Sequence, residues 1–468
     1  MTLCLILLIS TVAAAESAPP PVAPSGQLTE HVTCETDTTK SYALYLPPGY
    51  AAERRWPVII LMDPRGRAMV PLNLFAAQAG RRGYILISSY DTASDGPAEV
   101  NVKAMAALLP ETERRYSIDP RRLYLAGFSG TARAAWEFAT FLKGHAAGII
   151  GFGGGLPPEF TPAPAPGFVF FGGAGTTDFN YEEMLALDAR LERLGMPHRF
   201  RPYAGPHSWG PEEICAEAVD WMEIQAIRAG LRDGDDALVA EYFTRSMVRA
   251  RAAETEGRTL EAAGRLRELA ADLVDLRDLG DTIPRATALE KMKESRQTAS
   301  RLARNATQQK AYEARLSTFT SNFHSSTPPP ALSESLSYLQ IESLKKRAAA
   351  KDDSDNALAA QRLLELVAVH TGFYLPGDYM DRKDPGRALA VLRIAEAIRP
   401  DSPNVCLGLA RARAQIGQKT QALEDLRRAA ASGRIDAAFI EADEWLAPLR
   451  EEAGYREIVG KLKAARSP

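Results

Sequence analysis

A chain of 468 residues is too long for one ordinary core and allows two or three domains. Hydrophobic residues make up 46% and charged residues 25%, which excludes a disordered or fibrous chain, and a net charge of −3 gives no electrostatic basis for holding nucleic acid.

The N-terminus carries an apolar run, Leu3 to Ile9, followed by the small residues Ala13, Ala14 and Ala15. That order predicts a secretory signal peptide over residues 1–15 and export to a periplasmic or extracellular space, with only the terminal amine supplying positive charge. Residues 16–26, ESAPPPVAPSG, read as a Pro-rich, disordered leader. No later apolar run approaches the roughly 20 residues of a membrane-spanning helix. Past the signal, Cys34, Cys215 and Cys406 are too scattered for a disulfide scaffold, and both a Cys34–Cys215 pair and unpaired packed thiols are open. No Cys or His cluster has the spacing of a zinc site, so neither metal nor cofactor is expected.

Residues 27–34 and 40–46 alternate like half-buried strands around the polar turn ETDTT and predict an edge hairpin. Trp56 to Met62 is continuously apolar, as a central strand covered on both faces requires, and it runs into the tight loop Asp63-Pro64-Arg65-Gly66-Arg67. A helix over 71–82, a strand over 84–89 and a helix over 99–115 follow. Asp119-Pro120 then marks a turn before a strand over 122–128, and a helix begins near Ala132. Further strands over 147–152, 167–171 and 198–203 alternate with helices over 182–194 and 211–229. This β-α alternation predicts a doubly wound, mainly parallel α/β sheet over residues 27–229, with function at the C-terminal strand ends.

Three of those ends carry chemistry. Gly127-Phe128-Ser129-Gly130 joins strand to helix in the manner of a nucleophile elbow, where small neighbours permit a strained turn that lifts the serine hydroxyl above the sheet. Asp178, in GGAGTTDFNY, is the expected orienting acid, and His207, in AGPHSWG, the expected general base. His145 and His198 fall at strand entrances, while His31, His324 and His370 lie outside the doubly wound part. For the oxyanion of an acyl-transfer intermediate, the backbone amides of Gly130 and Arg65 are the expected donors, since Pro64 has none. Trp209 and Tyr181 are candidate walls of the substrate pocket.

The order Ser129, Asp178, His207 and the segments YALYLPPGY, VIILMDPRG, RLYLAGFSG, GTTDFNY and GPHSW resemble secreted α/β-hydrolase esterases. The relevant group contains feruloyl esterases, polyhydroxyalkanoate depolymerases and dienelactone hydrolases. The resemblance implies an α/β-hydrolase fold and a Ser-His-Asp triad cleaving esters. Thr131 stands where the elbow pattern usually has Gly, a departure expected to cost packing or activity.

From Gly230 the chain turns helical. Leu238, Tyr242, Met247, Leu260, Leu266, Leu269 and Leu273 recur at helical spacing as core positions, and Ser325 to Pro330 forms a break near the end of a 230–354 helical region. Within 355–468, a shift of 34 residues superposes Ala388, Leu389, Leu392, Arg393 and Ala395 on Ala422, Leu423, Leu426, Arg427 and Ala429. This resembles tetratricopeptide repeats, clearest over 403–436 and partial over 369–402, and implies an all-α repeat region able to recruit a protein partner or shape the substrate entrance. The chain therefore reads as an exported serine hydrolase acting on a small-molecule or polymer ester. An inactive hydrolase-like scaffold working through its repeats and a serine peptidase on the same fold are the alternatives.

Overall fold

The computed structural model describes residues 23–94, 96–157, 160, 167–350, 354–433 and 435–464. The expected signal peptide and the leader as far as Val22 lie outside them. The last leader residues are folded, contrary to expectation: Ala23 is buried in the core, and the Gly26 amide donates to Leu46 O at 2.8 Å.

An eight-stranded sheet organises the first half, in the order β1-β2-β4-β3-β5-β6-β7-β8. β1 (Leu28–Thr33) and β2 (Ser41–Tyr45) are antiparallel, whereas β3 (Trp56–Met62), β4 (Ile85–Ser89), β5 (Ile118–Phe128), β6 (Ala146–Phe152), β7 (Val169–Gly175) and β8 (His198–Tyr203) run parallel. The expected turn at Asp119-Pro120 is instead part of β5, absorbed as an irregularity where Trp56 pairs with Ile118 and Val58 with Leu123. A strand that begins early can accommodate Pro at such a bulge.

The two-residue period of β3 divides the core. Val58, Ile60 and Met62 face one side, where α2 (Glu99–Arg115), α3 (Gly130–Phe141) and α4 (Tyr181–Arg193) pack with Met105, Trp136 and Leu191. Ile59 and Leu61 face the other, covered by α1 (Met69–Arg82) and α5 (Glu212–Arg228) through Phe75 and Trp221. Cys34 belongs to the first core and Cys215 to the second; both are unpaired, as is Cys406. Burial pushes the Cys34 thiol up to about 12.

The second core continues past Gly230. α6 (Asp236–Thr255) and α7 (Thr259–Leu273) add Leu238, Tyr242, Leu269 and Leu273 to it. They are also anchored electrostatically. Asp272, buried on α7, accepts from Arg199 Nη2 (2.8 Å), Tyr242 OH (2.7 Å), Trp221 Nε1 (2.9 Å) and Gln225 Nε2 (3.1 Å).

The remaining helices are α8 (Thr282–Glu290), α9 (Lys293–Ser325), α10 (Leu332–Tyr338), α11 (Ile341–Ala348), α12 (Ser354–Val369), α13 (Leu375–Asp381), α14 (Pro385–Ile398), α15 (Pro403–Gln415), α16 (Lys419–Ala430), α17 (Ala437–Ala442) and α18 (Ala453–Ala464). Ser325 to Pro330 is a loop between helices, pinned by Arg387, which donates to Phe323 O and Ser326 O at 2.6 Å each. The 34-residue period has a structural counterpart: Ala388, Leu392 and Ala395 on α14 and Ala422, Leu426 and Ala429 on α16 are all buried. Among the described residues no helix is long and apolar enough to cross a membrane.

Asp272→Ala would leave the buried donors of Tyr242, Trp221 and Gln225 without this acceptor, and Arg199 with Glu268 as its remaining partner. Removing one partner from such a network typically costs about 3–5 kcal/mol, and urea unfolding should show a loss of that order. A loss below about 1 kcal/mol would mean that Asp272 does not anchor α7, leaving apolar contact and the Glu268 pairs with Arg199 and Arg201 to hold it.

Candidate active site

Ser129 sits between β5 and α3 with φ 55° and ψ −125°, a conformation rare for any residue with a Cβ. The surrounding chain fixes it there. Its amide donates to Phe152 O at 2.8 Å, and its carbonyl accepts from the Ala132 and Arg133 amides. Gly127 is required two residues earlier, because a Cβ there would overlap the Thr131 carbonyl.

Thr131 does not leave a packing defect. It is fully buried, and its hydroxyl lies 2.6 Å from Met62 O and 2.8 Å from Phe128 O while accepting from the Phe128 amide at 3.1 Å. The side chain therefore staples the end of β3 to the elbow, which corrects the expected packing cost of this departure from Gly.

The structure brings the three expected side chains into one row. His207 Nε2 is 2.9 Å from Ser129 Oγ, and His207 Nδ1 is 2.9 Å from each oxygen of Asp178. Asp178 is fully buried and also accepts from the Asn180 amide at 2.8 Å. The His207 ring lies between Phe128 and Phe179, with centroids 4.5 and 4.4 Å away. Gly153, just past the end of β6, has φ 55°, and a Cβ there would come within 2.8 Å of Asp178 Oδ2 and 3.1 Å of His207 Nδ1.

The other expected site residues fare differently. Gly130 opens α3, so its amide is one of the first-turn donors that have no intrahelical acceptor. Arg65 is not such a donor in this structure: its amide is given to Asp63 Oδ1 at 2.9 Å, and the Gly66 amide goes to Asp63 O at 3.1 Å. Asp63 curls the loop around itself, which Asp favours at a turn. Trp209 is not a pocket wall. It is buried against Phe75, Phe128 and Phe152, and its Nε1 donates to Asp63 Oδ2 at 2.9 Å. Tyr181 likewise packs on Phe200 and under the guanidinium of Arg362, 4.6 Å from its ring centroid.

Asp63 is the residue that sequence reasoning passed over. Fully buried, it also accepts the Arg67 amide at 3.2 Å and both Arg67 Nε and Nη2 at 2.9 Å, and through Trp209 it ties the β3 loop to the loop carrying His207. The signal was a strand-end Asp followed by two arginines. Burial opposes the charge of Asp63, but the bonds from Arg67, Trp209 and the Arg65 amide outweigh it and hold the carboxyl below its usual range.

No protein-family model matches the chain, and no curated protein matches it. Among solved structures it is similar to S-formylglutathione hydrolase FrmB of Staphylococcus aureus (11% identity, 42% of this chain, 99% of that one, TM-score 0.34). It is also similar to the feruloyl esterase module of Clostridium thermocellum complexed with sinapinate (17%, 44% and 94%, 0.33). A third is a dienelactone hydrolase-like promiscuous phosphotriesterase from metagenomic libraries (14%, 44% and 98%, 0.34). At such identities and scores, what the site can do stands on its own geometry.

Two outcomes follow from the loop contacts. A carboxyl with a depressed folded pKa stabilises the fold above its unfolded value, about 3.9, and that contribution is lost as pH falls through the folded value. Melting temperature should therefore fall more steeply below about pH 4 in the wild type than in Asp63→Asn, which starts lower; parallel curves would remove Asp63 from the account. Thr131→Val keeps the shape but strands Met62 O and the Phe128 amide, and should cost about 1–3 kcal/mol in urea unfolding.

Proposed function

We propose that the chain is a serine hydrolase acting on carboxylic esters, with Ser129 as nucleophile, His207 as general base and Asp178 as the acid that orients it. The observation that carries this reading is the continuous row from Ser129 Oγ through both His207 nitrogens to Asp178, built on a serine with positive φ. With Nδ1–H facing the buried carboxylate, the Nε2 lone pair faces the hydroxyl; this tautomer is assigned from the hydrogen bonds.

Each step uses these side chains and water. Nε2 takes the hydroxyl proton as Oγ attacks the acyl carbon, Asp178 stabilises the resulting imidazolium, and the same proton passes to the departing alkoxide. Water repeats the sequence to release the acid. The developing oxyanion is placed at the N-terminus of α3, where the Gly130 amide and the helix dipole favour negative charge. Thr131 supports activity because its satisfied hydroxyl keeps the elbow in place. Export rests on the Leu3–Ile9 run and Ala13 to Ala15, and a role for the helical repeats in partner or substrate recruitment rests on their period.

The mature protein should hydrolyse p-nitrophenyl acetate and butyrate, and Ser129→Ala should abolish turnover. Asp178→Asn should lower kcat by on the order of 10⁴ by favouring the wrong imidazole tautomer. Undiminished hydrolysis by Ser129→Ala would overturn the assignment, and cleavage of peptides but not esters would change the substrate class.

A further inference from the structure

The hydrolase sheet does not hold the Asp178–His207 pair alone. Phe179 lays its ring 4.4 Å from that of His207, and it also packs against the apolar core that α9 to α15 build. From α12 of that core, Arg362 reaches back to the loop carrying Asp178. Its Nη1 donates to Thr176 O at 3.0 Å, its Nη2 donates to Glu182 Oε1 at 2.8 Å, and its guanidinium covers Tyr181 between them. Arg362 is 5% exposed.

Thr176 and Glu182 bracket Asp178, so one planar guanidinium fixes both the entry and the exit of the acid loop. The loop in turn grips the histidine segment: the Thr176 amide donates to Tyr203 O (2.8 Å), and the Thr177 amide and hydroxyl to Gly205 O (3.0 and 2.8 Å). Lysine lacks the planar fork needed to bond two acceptors at these angles while lying over a ring. Burial favours the neutral form of Glu182, and Arg362 is the first group to oppose it.

We propose that Arg362 and Phe179 are positioning residues through which the helical half sets the geometry of Asp178 and His207, so that hydrolase activity depends on α12. This rests on the serine hydrolase reading above. On this account the helical half is a working part of the active site, whatever partner it also engages.

The test uses the full mature chain, a fluorophosphonate probe and p-nitrophenyl acetate, with Arg362→Met and Phe179→Leu beside the wild type. The fraction of protein finally labelled counts assembled sites, and the labelling rate per site reports how well Ser129 is activated. Both variants should reach nearly full labelling but label about tenfold or more slowly, with kcat falling by the same factor and KM changing less than about twofold. A purely structural role would lower the labelled fraction or the melting temperature and leave the rate per site at the wild-type value; that result overturns the proposal. If Arg362→Met does not fold, the Phe179→Leu rate decides. A folded wild type that takes no label would remove the serine hydrolase reading itself, and the proposal with it.

Discussion

One backbone constraint governs the C-terminal edge of the sheet: Ser129 must stay at φ 55°. A conformation of this kind costs on the order of 1–3 kcal/mol and persists only where its neighbours over-determine it. They do so from three directions. β6 receives the Ser129 amide at Phe152, α3 returns the Ala132 and Arg133 amides to its carbonyl, and Thr131 binds the elbow to the end of β3. The hydroxyl that results stands where His207 can reach it, and the loops around it are shaped by what that contact needs.

The loops are connected to each other as much as to the sheet. Asp63 links the β3 loop to the histidine loop through Trp209, and Asn180 Nδ2 bonds Gly153 O at 2.7 Å, joining the acid loop to the end of β6. Arg133 on α3 makes a two-pronged bond to Glu183, which also accepts the Gly155 amide. Polar contacts also tie the sheet domain to the helical half, among them those of Asp272 with Arg199 on β8 and of Arg362 beside the acid loop.

Most of the sheet was legible because its strands are short apolar runs ending in turn residues, and the three members of the row were legible because each follows such a run. What escaped was the use to which polar groups are put once the chain is folded. The Arg65 amide has the right position in the sequence for an oxyanion donor, but Asp63 lies two residues away and takes it. Trp209 two residues after a histidine suggests a pocket, yet its ring is buried in the core. The link between Arg362 and Thr176 spans 186 residues, and no local pattern announces it. The buried positions Leu238, Tyr242, Leu269 and Leu273 were legible from their helical spacing, whereas their joining the hydrolase core and the anchoring by Asp272 were not, since a charged residue there looks, in sequence, like part of a solvated helix face.

The measurement closest to the central claim is mass spectrometry of the protein quenched in acid shortly after mixing with p-nitrophenyl acetate. An acetyl group is expected on the peptide containing Ser129, formed together with an initial release of p-nitrophenol and absent in His207→Ala. Turnover of the ester with no adduct at Ser129, or with the acetyl group on another residue, would contradict it.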